Sequence, residues 1–185
     1  MFNFKQKLFW GVLLGSLVVI CFSASCASKA VNADDPDALY NHAEEAYQDE
    51  DYLVALDTFR EVKNRFPYSQ KAVEAELRIA DTYFAQEAYI EAEAAYEVFK
   101  ELHPTHAKAD YVQYQIGMSY FHQIPDDIAR DLSAALQALE AFKELETDYP
   151  SSKYTKQALS KAKETRLKLA QHERYVANFY YQRRH

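Results

Sequence analysis

Few residues of this chain have the type and spacing that chemistry requires. His103 and His106 lie three positions apart in a proline-containing loop, where two imidazoles could share a metal ion, but no third ligand accompanies them. Of three glycines only Gly117 lies beyond the first 15 residues, which leaves no glycine-rich loop to hold a phosphate. No pair of carboxylates stands out as acid and base from the many acidic residues. The sequence therefore predicts a protein that is not an enzyme, with no catalytic, cofactor-binding or metal-binding residue; a metal-dependent hydrolase is the remote alternative.

Cys26 is the residue for which the sequence does indicate a chemical modification. It follows a basic start, an apolar run over 8–22 and the small residues 23–25, which is the order of a secretory signal peptide. A cysteine at this point resembles a bacterial lipoprotein signal, in which the thiol is acylated with fatty acids such as palmitate and becomes the mature amino terminus. Cleavage elsewhere without a lipid, or an uncleaved anchor helix, are alternatives, although the apolar run is short for a span of about 20 residues. We predict a signal peptide over 1–25 and lipidation of Cys26.

The charge is unevenly distributed along the chain. Residues 30–149 contain 26 acidic and 9 basic side chains, whereas residues 150–185 contain 9 basic and 2 acidic ones. An acidic body repels phosphate, so nucleic acid is not an expected partner. The basic tail either faces an acidic partner or anionic lipid, or is a solvated helix face beside the acidic body.

A repeat of 37 residues organises the chain after a linker over 26–35. Small residues recur at Ala43, Ala80 and Gly117, and each is followed by an alanine, an aromatic residue four positions later and a proline eight positions after that. This order is that of the tetratricopeptide helix hairpin, in which the small residue permits a close helix crossing. The sequence thus predicts an all-α, tetratricopeptide-like helical-repeat superhelix over 36–185, with repeats at about 36–69, 73–106 and 110–152 and a partial fourth repeat to 185.

Local signals place the helices within these repeats. Asp35 and Ser69 are suited to cap the first and third helices, and Thr105 the fifth. The third repeat carries nine extra residues between its helices, which form either a contact loop or a tolerated insertion. The stretch after Pro150 contains no Gly or Pro and is predicted to form two helices with a break near Gln171.

In such stacks the first helix of each repeat lines the concave wall, where other chains bind. The repeat register places aromatic and acidic residues, including Glu44 and Asp81, on this wall without lysine. Such a wall cannot clamp a terminal carboxylate but suits the aromatic side chains of an extended peptide, unless half of its rings serve ordinary packing between helices. The predicted groove residues are Tyr40, Tyr47, Leu77, Phe84, Tyr111, Tyr114, Met118 and Phe121.

One family resemblance covers nearly the whole mature chain. Its most specific part is the run over 104–117, Pro-Thr-His-x-x-x-Asp-Tyr-Val-x-Tyr-x-x-Gly. With the lipoprotein signal, Pro-Ser-Ser-Lys-Tyr-Thr at 150–155 and the helix from Val176 to Tyr181, it resembles the BamD family, lipoprotein subunits of the outer-membrane β-barrel assembly machinery. Members have five such repeats, so the resemblance implies a chain truncated after the first helix of the fourth.

The resemblance also implies a function. It implies a non-enzymatic scaffold, lipid-anchored at the periplasmic face of the outer membrane and without cofactors. The expected partners are BamA, the barrel subunit of the machinery, its other subunits, and unfolded outer-membrane proteins. Another periplasmic repeat lipoprotein, such as a pilus-assembly or envelope-maintenance factor, is the alternative of the same class.

Overall fold

The computed structural model describes residues 32–184; the predicted signal peptide and Cys26 lie outside this range. The described residues form seven α-helices and no strand, and consecutive helices pack against each other as hairpins. This confirms the predicted all-α, tetratricopeptide-like class. The helices are α1 (Pro36–Gln48), α2 (Tyr52–Arg65), α3 (Gln70–Ala85), α4 (Tyr89–Leu102), α5 (Ala109–His122), α6 (Ser133–Asp148) and α7 (Thr155–Arg184).

Two of the three predicted caps are present. The Asp35 carboxylate accepts a hydrogen bond from the Asp37 N–H at 3.0 Å, and Ser69 Oγ accepts one from the Ala72 N–H at 3.1 Å. The predicted cap at Thr105 is wrong, because α5 begins only at Ala109. Backbone turns fill the interval, with the His106 N–H donating to the His103 carbonyl at 3.0 Å and the Ala109 N–H to that of His106 at 2.9 Å.

The turns inside the first two repeats share one unusual backbone conformation. Glu50 and Glu87 have φ angles of 61° and 60°, in the left-handed region that favours glycine. Both follow the last residue of a first helix, and Asp51 and Ala88 donate their N–H groups back to carbonyls five residues earlier, as in a Schellman motif. The repeat period is therefore visible in the backbone itself, 37 residues apart.

The small repeat residues lie where helices cross closely. Ala43 and Ala80 are fully buried, and a Cβ added to Gly117 would lie 2.5 Å from Cε1 of Phe142 on α6. Because real carbon atoms do not approach so closely, only glycine fits against this ring. The close crossing predicted at Gly117 is confirmed.

The C-terminal stretch differs from its prediction. Residues Thr155–Arg184 form one continuous α7, so the predicted break near Gln171 is wrong. Without Gly or Pro, nothing interrupts the backbone hydrogen bonds, and a stripe through Ala158, Ala162 and Thr165 is buried along the helix. Although α7 has 30 residues, no helix in the described range combines the length and apolar character needed to cross a membrane.

The insertion of the third repeat, between α5 and α6, packs against α7. Ile124 and Leu132, near its two ends, are buried in the same cluster as α7 residues. Between them, the carbonyl of Ile128 lies 2.5 Å from His172 Nδ1, and Asp126 lies 3.6 Å from Lys168 Nζ. The extra residues therefore pack against α7, the second helix after the insertion.

Candidate functional site

The predicted groove residues lie on the first helices of the three hairpins, α1, α3 and α5. Seven of them are half-buried, whereas Leu77 is only 1% exposed and belongs to the core between the hairpins. Leu77 therefore contributes the floor of a cavity described below and no open surface. We call the half-buried residues, together with Tyr154, the first-helix wall: Tyr40, Tyr47, Phe84, Tyr111, Tyr114, Met118, Phe121 and Tyr154.

Arg78 on α3 joins the first two hairpins behind this wall. Its Nε and Nη2 donate to the two Glu44 carboxylate oxygens at 2.8 and 2.5 Å, and its Nη1 donates to Asp81 Oδ2 at 3.0 Å. Its guanidinium carbon lies 3.9 Å from the centre of the Tyr47 ring. The Arg78 side chain is 17% exposed; burial alone would lower its pKa, but the hydrogen bonds to Glu44 and Asp81 raise it. Arg78 is therefore a charged side chain that makes three hydrogen bonds to carboxylates and links α1 to α3.

Asp81 is the centre of a network that extends from Arg78 to the third hairpin. The hydroxyls of Tyr96 and Tyr111 donate to Asp81 Oδ1 at 2.7 and 2.8 Å, and Gln115 Nε2 donates to both hydroxyls at 3.2 Å. Burial first, and then the charge of Asp81, raise the pKa of Tyr111. Both phenols therefore stay neutral donors, and one carboxylate that is 8% exposed ties α3 to α4 and α5.

Tyr154 completes the wall, although sequence reasoning did not include it. It immediately precedes α7, and its ring stacks on Tyr114 with centroids 5.0 Å apart and an interplanar angle of 14°. It also lies 5.6 Å from the Tyr111 ring. The Lys-Tyr pair at 153–154 was noted only as part of a family motif. The repeat register gives no signal for it on the wall, because the position 37 residues after Gly117 corresponds to the small residues at the helix crossings.

At the other end of the wall, three rings meet around His122. The imidazole stacks on Tyr89 at 4.5 Å between centroids, and the rings of Phe84 and Phe121 approach it edge to face, both at 5.7 Å. Burial, and then the nearby charge of Lys161, lower the pKa of His122. The neutral imidazole therefore acts here as a further ring of the aromatic surface.

The predicted absence of lysine from the wall is wrong. Lys71, Lys153 and Lys161 place their Nζ atoms 4.4, 4.9 and 4.3 Å from the ring centres of Tyr40, Tyr154 and Phe121. Lys71 lies in the first turn of α3, Lys153 in the loop before α7 and Lys161 on α7. Their long side chains reach the rings by cation–π contact. The exclusion of a carboxylate ligand, which relied on the absence of lysine, therefore no longer follows.

Two cavities open beside Arg78. One of about 490 Å³ is lined by Asp81, Tyr111 and Tyr154 with Lys108 and Lys153, and the other, of about 390 Å³, by Tyr40 and Leu77 with residues of the α4–α5 loop. Arg78, Ala107 and Lys108 line both cavities. This arrangement offers adjacent aromatic surfaces bordered by both basic and acidic side chains, which suits the side chains of an extended peptide.

The histidines considered as metal ligands have other partners. His103 Nε2 lies 2.7 Å from Glu76 Oε2, and His106 Nδ1 accepts a hydrogen bond from the Lys108 N–H at 3.2 Å. Burial lowers the pKa of His106. Between residues 32 and 184, no group of three or more His, Cys, Asp or Glu side chains is arranged to hold a metal ion.

Comparison with known proteins gives the family. A family model described as outer membrane lipoprotein (YfiO) matches residues 32–185. The outer membrane protein assembly factor BamD of Neisseria gonorrhoeae is 28% identical over 190 residues, which cover 96% of this chain and 71% of that protein. The proteins of the same name from Vibrio cholerae and Caulobacter vibrioides are 27% and 29% identical, over 97% and 91% of this chain and 77% and 57% of their own lengths.

The matched range includes all seven described helices and the whole first-helix wall. The resemblance drawn from residues 104–117, 150–155 and 176–181 is thereby confirmed. The chain belongs to the outer membrane lipoprotein (YfiO) family, whose named relatives are BamD assembly factors.

Proposed function

We propose that this chain is a lipid-anchored scaffold subunit of the outer-membrane β-barrel assembly machinery, and that it receives unfolded outer-membrane proteins for insertion. Its family membership and the name of its relatives, outer membrane protein assembly factor, support this role. In this proposal Cys26 carries the lipid, the helical domain lies at the periplasmic face, and BamA and the other machinery subunits are its partners. The role is non-enzymatic.

The observation that carries the proposal is the presence of two clusters of contacting rings on the first-helix wall. Tyr111, Tyr114 and Tyr154 form one set of contacting rings, and Phe84 and Phe121 meet through His122 at the other end. Half-buried rings at the mouths of cavities offer apolar faces that a partner can cover. The strands of a membrane barrel alternate apolar and polar side chains and carry aromatic girdles, so an extended segment of such a protein matches this surface.

The experiment is a paired truncation within the wall. We expect Tyr114→Ala with Phe121→Ala to weaken binding of a fluorescein-labelled synthetic peptide that alternates aromatic and Ser/Thr residues. Fluorescence anisotropy measures the affinity. A loss of about tenfold or more is expected, because aromatic pairs contribute about 0.5–1.5 kcal/mol each beyond their buried area.

The matched control is Tyr68→Ala, since Tyr68 is 102% exposed in the turn between α2 and α3 and lies outside the wall. Both wall residues also pack against a core cluster, so the double variant is expected to lose some stability, though less than the 3–5 kcal/mol typical of one fully buried ring. Binding is therefore measured well below the melting temperature. Unchanged affinity in a folded double variant would place the peptide site elsewhere.

A further inference from the structure

We infer that Asp81 is a positioning residue of the first-helix wall: it fixes the ring of Tyr111 beside the 490 Å³ cavity and thereby sets the affinity for aromatic side chains of a bound peptide. This inference deepens the proposed function and rests on it. The repeat register places Asp81 on the wall but does not indicate which side chains it contacts.

The first step is the orientation of the Asp81 carboxylate. One oxygen is held by Arg78 at 3.0 Å, and Arg78 is itself held by both oxygens of Glu44 on α1. With 8% exposure, the carboxylate has little water to compete for its lone pairs. The other oxygen, Oδ1, is therefore presented in a defined direction.

The second step is the effect on Tyr111. Its hydroxyl donates to Oδ1 at 2.8 Å, while its ring lies 5.6 Å from that of Tyr154, so the phenol is anchored at its tip beside a neighbouring ring. Asp81, Tyr111 and Tyr154 all line the same cavity. Without the anchor, the Tyr111 side chain can rotate towards this space, because a cavity of this size leaves room for another rotamer.

The third step concerns specificity. Because the Tyr96 and Tyr111 hydroxyls both point to Asp81, their polar ends are satisfied inside the protein. The wall therefore presents the carbon face of Tyr111 to a ligand. A rigid, apolar ring face favours aromatic and aliphatic side chains and costs less entropy on binding than a mobile one.

The test uses three variants of the full chain: Asp81→Asn, Tyr111→Phe and the double variant. Asparagine keeps the size of the side chain but has one acceptor oxygen in place of two, so it cannot accept from both Arg78 and the phenol hydroxyls as the carboxylate does. We therefore expect peptide affinity, measured with the same labelled peptide, to fall about tenfold or more. If Asp81 acts through the Tyr111 hydroxyl, the double variant is no weaker than Asp81→Asn alone. Asp57→Asn is the matched control, because Asp57 also pairs with an arginine but is 82% exposed.

A second readout separates this inference from the proposed function. In protein labelled with 3-fluorotyrosine, the ¹⁹F resonance of Tyr111, assigned by its loss in Tyr111→Phe, is expected to shift in Asp81→Asn and to stay in place in Asp57→Asn. If the wild-type chain fails to bind the peptide while the Tyr111 resonance still shifts in Asp81→Asn, the proposed peptide site is overturned. That pair of results leaves Asp81 as the anchor of Tyr111. An unshifted resonance, unchanged affinity in Asp81→Asn, or strictly additive effects in the double variant overturn the role of Asp81.

Discussion

Substituting Gly117 by alanine tests the close crossing of α5 and α6. The new Cβ would lie 2.5 Å from Cε1 and 2.6 Å from Cδ1 of Phe142, whereas carbon atoms pack at about 3.5 Å, so ring and helix must separate by about 1 Å. Phe142 is 2% exposed and surrounded by the α6–α7 core, so its ring has no free space to enter.

Two opposing effects determine how much Gly117→Ala changes the free energy of unfolding. Overpacking a dense core costs about 1–3 kcal/mol. Replacing a glycine inside a helix by alanine stabilises the helix by about 1 kcal/mol, because alanine has the higher helix propensity. We therefore expect Gly117→Ala to lower the free energy of unfolding by about 1–2 kcal/mol, and Gly117→Leu to lower it further.

Thermal and urea unfolding, followed by circular dichroism at 222 nm, measure this change. For a domain of this size, each kcal/mol corresponds to a shift of about 2–4 °C in melting temperature. Gln137→Ala, at an exposed position within α6, is the control and is expected to stay within about 0.5 kcal/mol of wild type. Adding Phe142→Leu to Gly117→Ala should relieve the clash. The double variant is therefore expected to lose less unfolding free energy than the sum of the losses in the two single variants. A Gly117→Ala variant as stable as wild type, or more stable, would refute the reasoning, because the helices could then separate without cost.

Two further predictions concern the membrane tether and alkaline pH. Changing Cys26→Ala is expected to release the protein from membranes and to remove any acyl mass from its mature terminus. The tether would be contradicted if the variant still sedimented with outer membranes and mass spectrometry found no lipid on the wild type. Burial, together with a hydrogen bond to Glu93, raises the pKa of Tyr120 from 10.0 to about 12. The neutral phenol is thus favoured in the folded state, and its contribution to stability is complete below pH 10 and is lost between pH 10 and 12. Melting temperatures across that interval should fall less steeply in Tyr120→Phe than in wild type, and equal slopes would show that Tyr120 does not contribute.

Much of the fold could be predicted from the sequence because its signals are local. The spacing of Ala43, Ala80 and Gly117 predicted the repeat, and the described residues form successive helix hairpins. The caps at Asp35 and Ser69 were predictable because a cap links residues only two or three positions apart. Where two local signals compete, prediction failed, as at Thr105, where turns at His103 and His106 delay the start of α5.

The candidate site was predictable only as a set of positions. The period placed Tyr111, Tyr114 and Phe121 on one helix and Phe84 on the preceding first helix, but it could not determine which side chains meet. The lysines over the rings, the stacking of Tyr154 on Tyr114 and the burial of Leu77 depend on side chains from different helices. Helical spacing specifies a face of one helix, and says nothing about the side chains that reach that face from a neighbour.

The sequence alone thus determined the repeat, the helix pairs and the family to which the chain belongs. Tertiary structure decided the polar network and the path of the C-terminal region. Glu44 and Arg78 are 34 positions apart, Asp81 and Tyr111 are 30 apart, and Ile128 and His172 are 44 apart. The physical reason is that each of these contacts forms only after neighbouring hairpins have packed, when burial strengthens a hydrogen bond that water would otherwise satisfy.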